Sequence, residues 1–303
     1  MNFLNYYIFL CFVYAVTILG NYFIMGTIYL ARALHTAKYI AVFNLAVSDL
    51  CGSTALIPRY VDMFLFDKQY ISYGDCLSSM FFAFTFMTMQ SFTLLALAFD
   101  RVIAICSRPT TYHAIVTKST MMLIIGVMWV LSVFLVTLLV ALITRLTFCA
   151  SIATVDSYFC DHGPVFRSAC SDNSINRVMA YVYANAVIFI PLIFIVLSYG
   201  CIGFALLRIS QGGERMKAMK TCTSHIILVA LFYVPILSIY FLATTYIHPN
   251  TRIINSVLTQ TVPPMLNPII YTLKTEEVLQ AIKALYKRMK ANNMEQPVKN
   301  MKS

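Results

Sequence analysis

The sequence predicts an all-α membrane protein, a seven-transmembrane helix bundle with a short amphipathic helix after the seventh span. Three observations carry this. The 303 residues are 60% hydrophobic and 11% charged, with a mean hydropathy of +0.76, whereas a water-soluble globule needs roughly twice that charge. Seven stretches are long and apolar enough to cross a hydrocarbon layer of about 30 Å at about 1.5 Å per residue. The period-2 alternation of membrane barrel strands is absent, so helices are expected to satisfy the backbone.

The spans read as residues 6–30, 39–64, 76–99, 121–144, 178–207, 221–247 and 253–273. The first begins almost at Met1 with no Lys or Arg before it. A cleaved signal peptide normally carries a basic start, so an uncleaved first helix is expected. The second holds Asp49 at mid-depth, and the third ends at Asp100-Arg101 after an uncharged run. The fifth and sixth carry Pro191 and Pro235, with His225 near the start of the sixth; the seventh carries Asn267-Pro268. Beyond it, Thr275 is placed to cap a helix that opens with Glu276 and Glu277 and gathers Lys283, Lys287, Arg288 and Lys290 toward its end, as the helix dipole favours. Val278, Leu279, Ile282, Leu285, Tyr286 and Met289 share one face, so this helix is expected to lie on the inner leaflet with its basic face toward anionic lipid. The organisation is thus a bundle over residues 1–274, an amphipathic helix over 275–290, and a polar tail over 291–303 expected to be disordered.

Of the 22 Lys and Arg residues, sixteen fall on the side that holds the C-terminus. Only Arg59, Lys68, Arg145, Arg167, Arg177 and Arg252 fall on the other. The positive-inside rule then puts the N-terminus outside and the C-terminus in the cytoplasm. The net charge of +10 reads as this topology signal, and no basic segment interleaved with aromatics speaks for nucleic acid. Cys76, Cys149, Cys160 and Cys170 lie at the outer, oxidising side, where four thiols allow three pairings. Any pairing would tie down the long connection over 145–177.

The chemistry sits inside the membrane. An isolated carboxylate at Asp49 is costly there and must be neutral, hydrogen-bonded or paired. Asn21 and Asn267 are candidate partners, and Pro268 frees a carbonyl that Asn267 could use. The prolines, with a polar line from Asp49 toward Arg101, describe helices that bend about an inner network.

Gly20-Asn21, the run from Asn44 to Asp49, Asp100-Arg101 followed by Ala104-Ile105-Cys106, Ser198-Tyr199, the run from Lys217 to His225, and Asn267-Pro268-Ile269-Ile270-Tyr271 together resemble the signature set of vertebrate olfactory receptors, rhodopsin-like G-protein-coupled receptors. Ile71-Ser72-Tyr73 and Gly52-Ser53-Thr54 resemble fish-type members more than mammalian ones. The resemblance implies an odorant receptor in the plasma membrane of olfactory neuron cilia. It implies a small-molecule odorant and a heterotrimeric G protein, Gs-like, as partners, and no resident cofactor. Arg101 would leave Asp100 on activation and join Tyr199 and Tyr271, while Lys220 and His225 would move with the sixth helix. Cys76 would bridge to Cys160, and Cys149 to Cys170. It also suggests a sodium ion at Asp49, an expectation weakened because many members carry an acid where Gln90 stands. Many have Tyr at the positions of Phe99 and Val102, and an N-terminal glycosylation sequon, which is absent here.

The ligand is expected between the third, fifth, sixth and seventh helices. Counting turns outward from Arg101 and the three prolines selects Phe84, Met87, Thr88, Tyr183, Val187, Tyr233, Ile236, Tyr240, Val257 and Gln260. This mostly apolar set suits small organic molecules. Ala83 stands where amine receptors place an acid. The alternatives are a non-olfactory receptor of the same class or, further off, a transporter or channel. The latter predict repeats, paired broken helices and several midplane charges, which the sequence does not show. A retinal protein would need a lysine deep in the seventh span, and Lys274 lies at its end. Metalloprotease, nucleophile-elbow and phosphate-loop motifs are absent, so no enzyme is expected.

Overall fold

The computed structural model describes residues 3–66, 70–149, 159–208, 212–242 and 249–300. Helix α1 (Phe3–Leu30) turns through a short 3-10 segment into α2 (Ala37–Phe66), and α3 (Tyr73–Cys106) is followed by the short α4 (Pro109–Ile115) and by α5 (Lys118–Thr144). A short α6 (His162–Arg167) lies in the next connection. Helix α7 (Ser174–Ala184) runs through a π turn (Asn185–Phe189) into α8 (Ile190–Arg208), making one spanning rod. Helices α9 (Gly212–Leu242), α10 (Pro249–Lys274) and α11 (Glu276–Asn300) complete the chain. The only bridge among the described residues joins Phe148 to Ala169.

Local chemistry sets the boundaries. Ser72 caps α3 by accepting from the Asp75 amide at 3.1 Å, and Thr117 caps α5 by accepting from the Thr120 amide at 3.1 Å, each satisfying a donor that a helix start leaves open. Pro109 opens α4, where its missing N–H costs nothing. Helix α11 continues to Asn300, past the Lys290 limit read from charge and amphipathicity. Ala291, Met294, Glu295 and Gln296 are good helix formers and need no apolar face to continue an existing helix.

Six rods among the described residues are long and apolar enough to span a membrane. Helix α10, the seventh of the bundle, is as long but more polar, because it carries Thr259, Thr261, Asn267 and the three internal prolines Pro263, Pro264 and Pro268. Its polar groups are buried among its neighbours, so α10 is shielded from lipid where they lie. Tyr29, Leu123, Val130 and Leu207 instead leave about 70% or more of their surface outward, an apolar belt that only lipid would cover favourably.

The main core runs along α2, α3, α5, α8 and α9 through residues such as Leu45, Met89, Leu97, Met128, Ile195 and Leu228. A second cluster around Cys76, Met80, Cys160, Val165 and Phe166 closes the end that holds α6. Helix α1 reaches α10 because Gly20 has no side chain: a Cβ there would stand 2.8 Å from Cγ of Pro268. Proline shapes α8 as well. Pro191 has no N–H to offer the Val187 carbonyl four residues back, and the π turn sits at that break. The Ser91 hydroxyl of α3 donates to the freed Val187 carbonyl and also pairs with the Tyr233 hydroxyl at 2.8 Å. One proline break in α8 is therefore held by α3 and α9 together.

Candidate functional site

Asp49 on α2 is fully buried, and both of its oxygens are engaged. Oδ1 accepts from Gln90 Nε2 at 2.8 Å, and Oδ2 accepts from Asn267 Nδ2 at 2.7 Å. Hydrogen bonds to a charged group contribute about 1.5–3 kcal/mol each, which offsets part of the burial cost of the carboxylate. Asn21 does not join them. Its Nδ2 donates to the Pro264 carbonyl at 3.0 Å, the carbonyl four residues before Pro268 and thus the one that Pro268 leaves free. Of the two amides expected as partners of Asp49, Asn267 alone bonds it, and the carbonyl freed by Pro268, expected for Asn267, is served by Asn21. The donor set also bears on sodium. A sodium ion takes oxygen ligands, whereas both carboxylate oxygens here face amide N–H groups, so the side chains as arranged do not fit that ion.

Toward the α11 end, Arg101 Nη2 stands 3.6 Å from Asp100 Oδ2, and the Asp100 side chain is 1% exposed. The Tyr112 hydroxyl of α4 donates to Asp100 Oδ1 at 3.0 Å. The Tyr199 hydroxyl lies 2.6 Å from His225 Nδ1, and His225 Nε2 lies 3.1 Å from the Leu94 carbonyl. A carbonyl only accepts, so Nε2 carries the proton, Nδ1 accepts, and the tyrosine donates. This relay ties α8 to α9 and α9 to α3. The Tyr271 hydroxyl has no hydrogen-bond partner among the described residues.

The first turn of α11 is pinned on two sides. Glu277 Oε2 accepts from Lys38 Nζ at 2.9 Å and from the Tyr39 hydroxyl at 2.6 Å. Glu276 stands 3.6 Å from Lys220 of α9. Burial pushes the Glu277 carboxyl up, but the Tyr39 and Lys38 hydrogen bonds and the Lys38 charge outweigh it, so the group is held below the usual carboxylate range. Between these contacts opens a cavity of about 150 Å³ whose walls include Lys38, Arg101, Lys220, His225, Tyr271 and Glu277.

A smaller cavity, about 20 Å³, lies among α2, α3, α9 and α10. Of the ten ligand candidates, Met87, Ile236 and Gln260 line it, joined by Gly52, Leu56, Ala83, Phe86, Gln90, Phe232 and Thr259. The others sit elsewhere. Thr88 and Tyr183 share a 2.7 Å hydrogen bond, Tyr233 is bonded to Ser91, Val187 and Val257 are fully buried, and Phe84 packs where the core clusters meet. The side chain of Tyr240 lies outside the described residues. Turn counting along the fifth span assumes 3.6 residues per turn, and the π turn breaks that register. The contribution of α2 to the cavity, through Gly52 and Leu56, was not expected from the sequence, which placed the ligand among the third, fifth, sixth and seventh helices. At the opposite end, Cys76 bonds to Cys160 and Cys149 to Cys170, with Cα atoms 5.3 and 5.6 Å apart.

Residues 10–289 match the olfactory receptor family. The chain belongs to that family. It is 35% identical over 272 residues to olfactory receptor 1J1 of Mus musculus, covering 90% of this chain and 86% of that one. It is 34% identical over 281 residues to olfactory receptor 1M1 of Homo sapiens, covering 93% and 89%. Squid rhodopsin superposes with a TM-score of 0.73 at 18% identity over 95% of this chain and 87% of that chain, so this olfactory receptor has the rhodopsin fold. Its family consists of receptors, and an enzymatic reading falls away.

Proposed function

We propose that this olfactory receptor binds a small organic odorant in the cavity lined by Met87, Gln90, Ile236 and Gln260, and that binding drives nucleotide exchange on a heterotrimeric G protein seated at the Arg101 cavity. The observation that carries the reading is the column of polar groups between the two. Gln90 forms part of the first cavity and holds Asp49; Asp49 holds Asn267; and Tyr271, one turn on, faces the second cavity. A space of about 20 Å³ has room for about one water molecule. An odorant must therefore spread the walls on α3, α9 and α10, and it binds the spread bundle better than the closed one. That differential affinity is all that a population shift requires.

In the resting bundle Asp100, itself held by Tyr112, restrains Arg101, and the Tyr199–His225–Leu94 relay holds α9 against α3. Outward movement of α9 would break that relay and the Lys220–Glu276 contact and widen the Arg101 cavity for the G protein. The basic bias of the α11 end supports a cytoplasmic C-terminus and an outer N-terminus. The family supports the plasma membrane of olfactory cilia and a Gs-like partner. The test is nucleotide exchange in membranes holding the full chain, screened with an odorant panel. Wild type should respond, and Arg101→Ala should abolish the response while surface expression stays normal. An undiminished response in that variant would overturn the mechanism.

A further inference from the structure

Gln90 belongs to two structures at once. Its side chain forms part of the wall of the small cavity, and its Nε2 donates to Asp49. With Asn267 on the other oxygen at 2.7 Å, the carboxylate is held on both sides by neutral N–H donors. Electrostatically, these donors do for Asp49 what a bound monovalent cation would do, by presenting partial positive charge to each oxygen. They also exclude such a cation, which would meet hydrogens where it needs oxygens.

We infer that the Gln90 amide takes the place of a sodium ion at Asp49, so that the stability and the signalling of this receptor do not depend on sodium. The orientation of the amide is given by the geometry: Nε2 of Gln90 faces Oδ1 of Asp49 at 2.8 Å, nitrogen to the accepting oxygen. A carboxylate at position 90 would reverse the chemistry. Two acids side by side repel, and a cation between them relieves the repulsion. The single step from amide to acid therefore decides whether the site is closed or open to sodium. The signalling half of this inference rests on the receptor reading above; the stability half does not.

The experiment compares thermal unfolding of the purified full chain in sodium chloride and in choline chloride at equal ionic strength. Wild type should show the same Tm in both salts. Gln90→Glu should show a saturable rise of Tm with sodium and none with choline. Should Gln90→Glu fail to fold, Gln90→Ser, which replaces the amide N–H by a short hydroxyl whose oxygen can face a cation, must show the same sodium dependence. Saturable stabilisation of the wild type by sodium overturns the inference, and so does a folded variant indifferent to sodium. Nucleotide exchange by the wild type, measured in the two salts, should be equal. A protein that never activates a G protein would sink the functional proposal and leave the unfolding result standing.

Discussion

Ser91 shows how one small side chain decides a helix break. Pro191 deprives the Val187 carbonyl of its helical donor, and the Ser91 hydroxyl replaces it while also pairing with Tyr233. Ser91→Ala would leave that carbonyl buried without a donor, a loss of about 1–3 kcal/mol. Thermal unfolding should show a lower Tm for Ser91→Ala and near wild-type behaviour for Ser91→Thr, which keeps the hydroxyl. An unchanged Tm for the alanine variant would contradict this account. The prolines were plain in the sequence, but the residue that answers each one was not. Ser91 is distant in sequence from Pro191, as Asn21 is from Pro268, and nothing local marks either as the donor. Only a polar residue facing the right carbonyl can serve, and facing is a property of packed helices.

At the scale of elements, α11 is fastened through Glu277 to Lys38 and Tyr39. The Lys38–Glu277 pair is buried on the lysine side but the Glu277 side chain is 60% exposed, so its worth is modest, about 1 kcal/mol or less. Glu277→Gln should raise hydrogen–deuterium exchange in the first turns of α11 without unfolding the bundle. Because the Glu277 carboxyl is held low in the folded state, this fastening is complete at neutral pH and is lost as pH falls through the folded carboxyl's range. The short α6 obeys the opposite chemistry. His162 is 3% exposed, and burial pulls its pKa down to about 4, against a smaller opposing effect of its hydrogen bond with the Leu139 backbone. The unfolded segment takes a proton near 6.5 and the folded one does not, so stability is full above that pH and falls between it and about 4. Melting at pH 5 should be weakened by an amount on the order of 1 kcal/mol relative to pH 7, and His162→Phe should abolish that difference. The Glu277 contacts explain why α11 stays where charge and amphipathic patterning first suggested. The patterning predicted that α11 lies at the basic end, but not which lysine it would grip.

For the whole molecule, the proposed function is a balance between two arrangements of the bundle. On that proposal, the Asp100 contacts to Arg101 and Tyr112 weight the resting one. Asp100→Asn removes the charge partner of Arg101, and a change of about 1 kcal/mol corresponds to about a fivefold shift in populations. Basal nucleotide exchange should therefore rise several-fold without odorant; a fall or no change would show that Asp100 is not the restraint. The sequence by itself determined the membrane, the seven helices and the polar residues at their centres. Hydropathy, charge asymmetry and prolines are local quantities that survive without neighbours. Those same residues carried the resemblance to olfactory receptors. Tertiary structure alone decided the pairings: Asn267 with Asp49, Asn21 with the Pro268 kink, Gln90 between the small cavity and Asp49, and a cavity that includes α2. The physical reason is rotation. A kink or a π turn resets which face a helix presents, and a hydrogen bond is made or lost within about an ångström, a precision that periodicity along a chain does not hold.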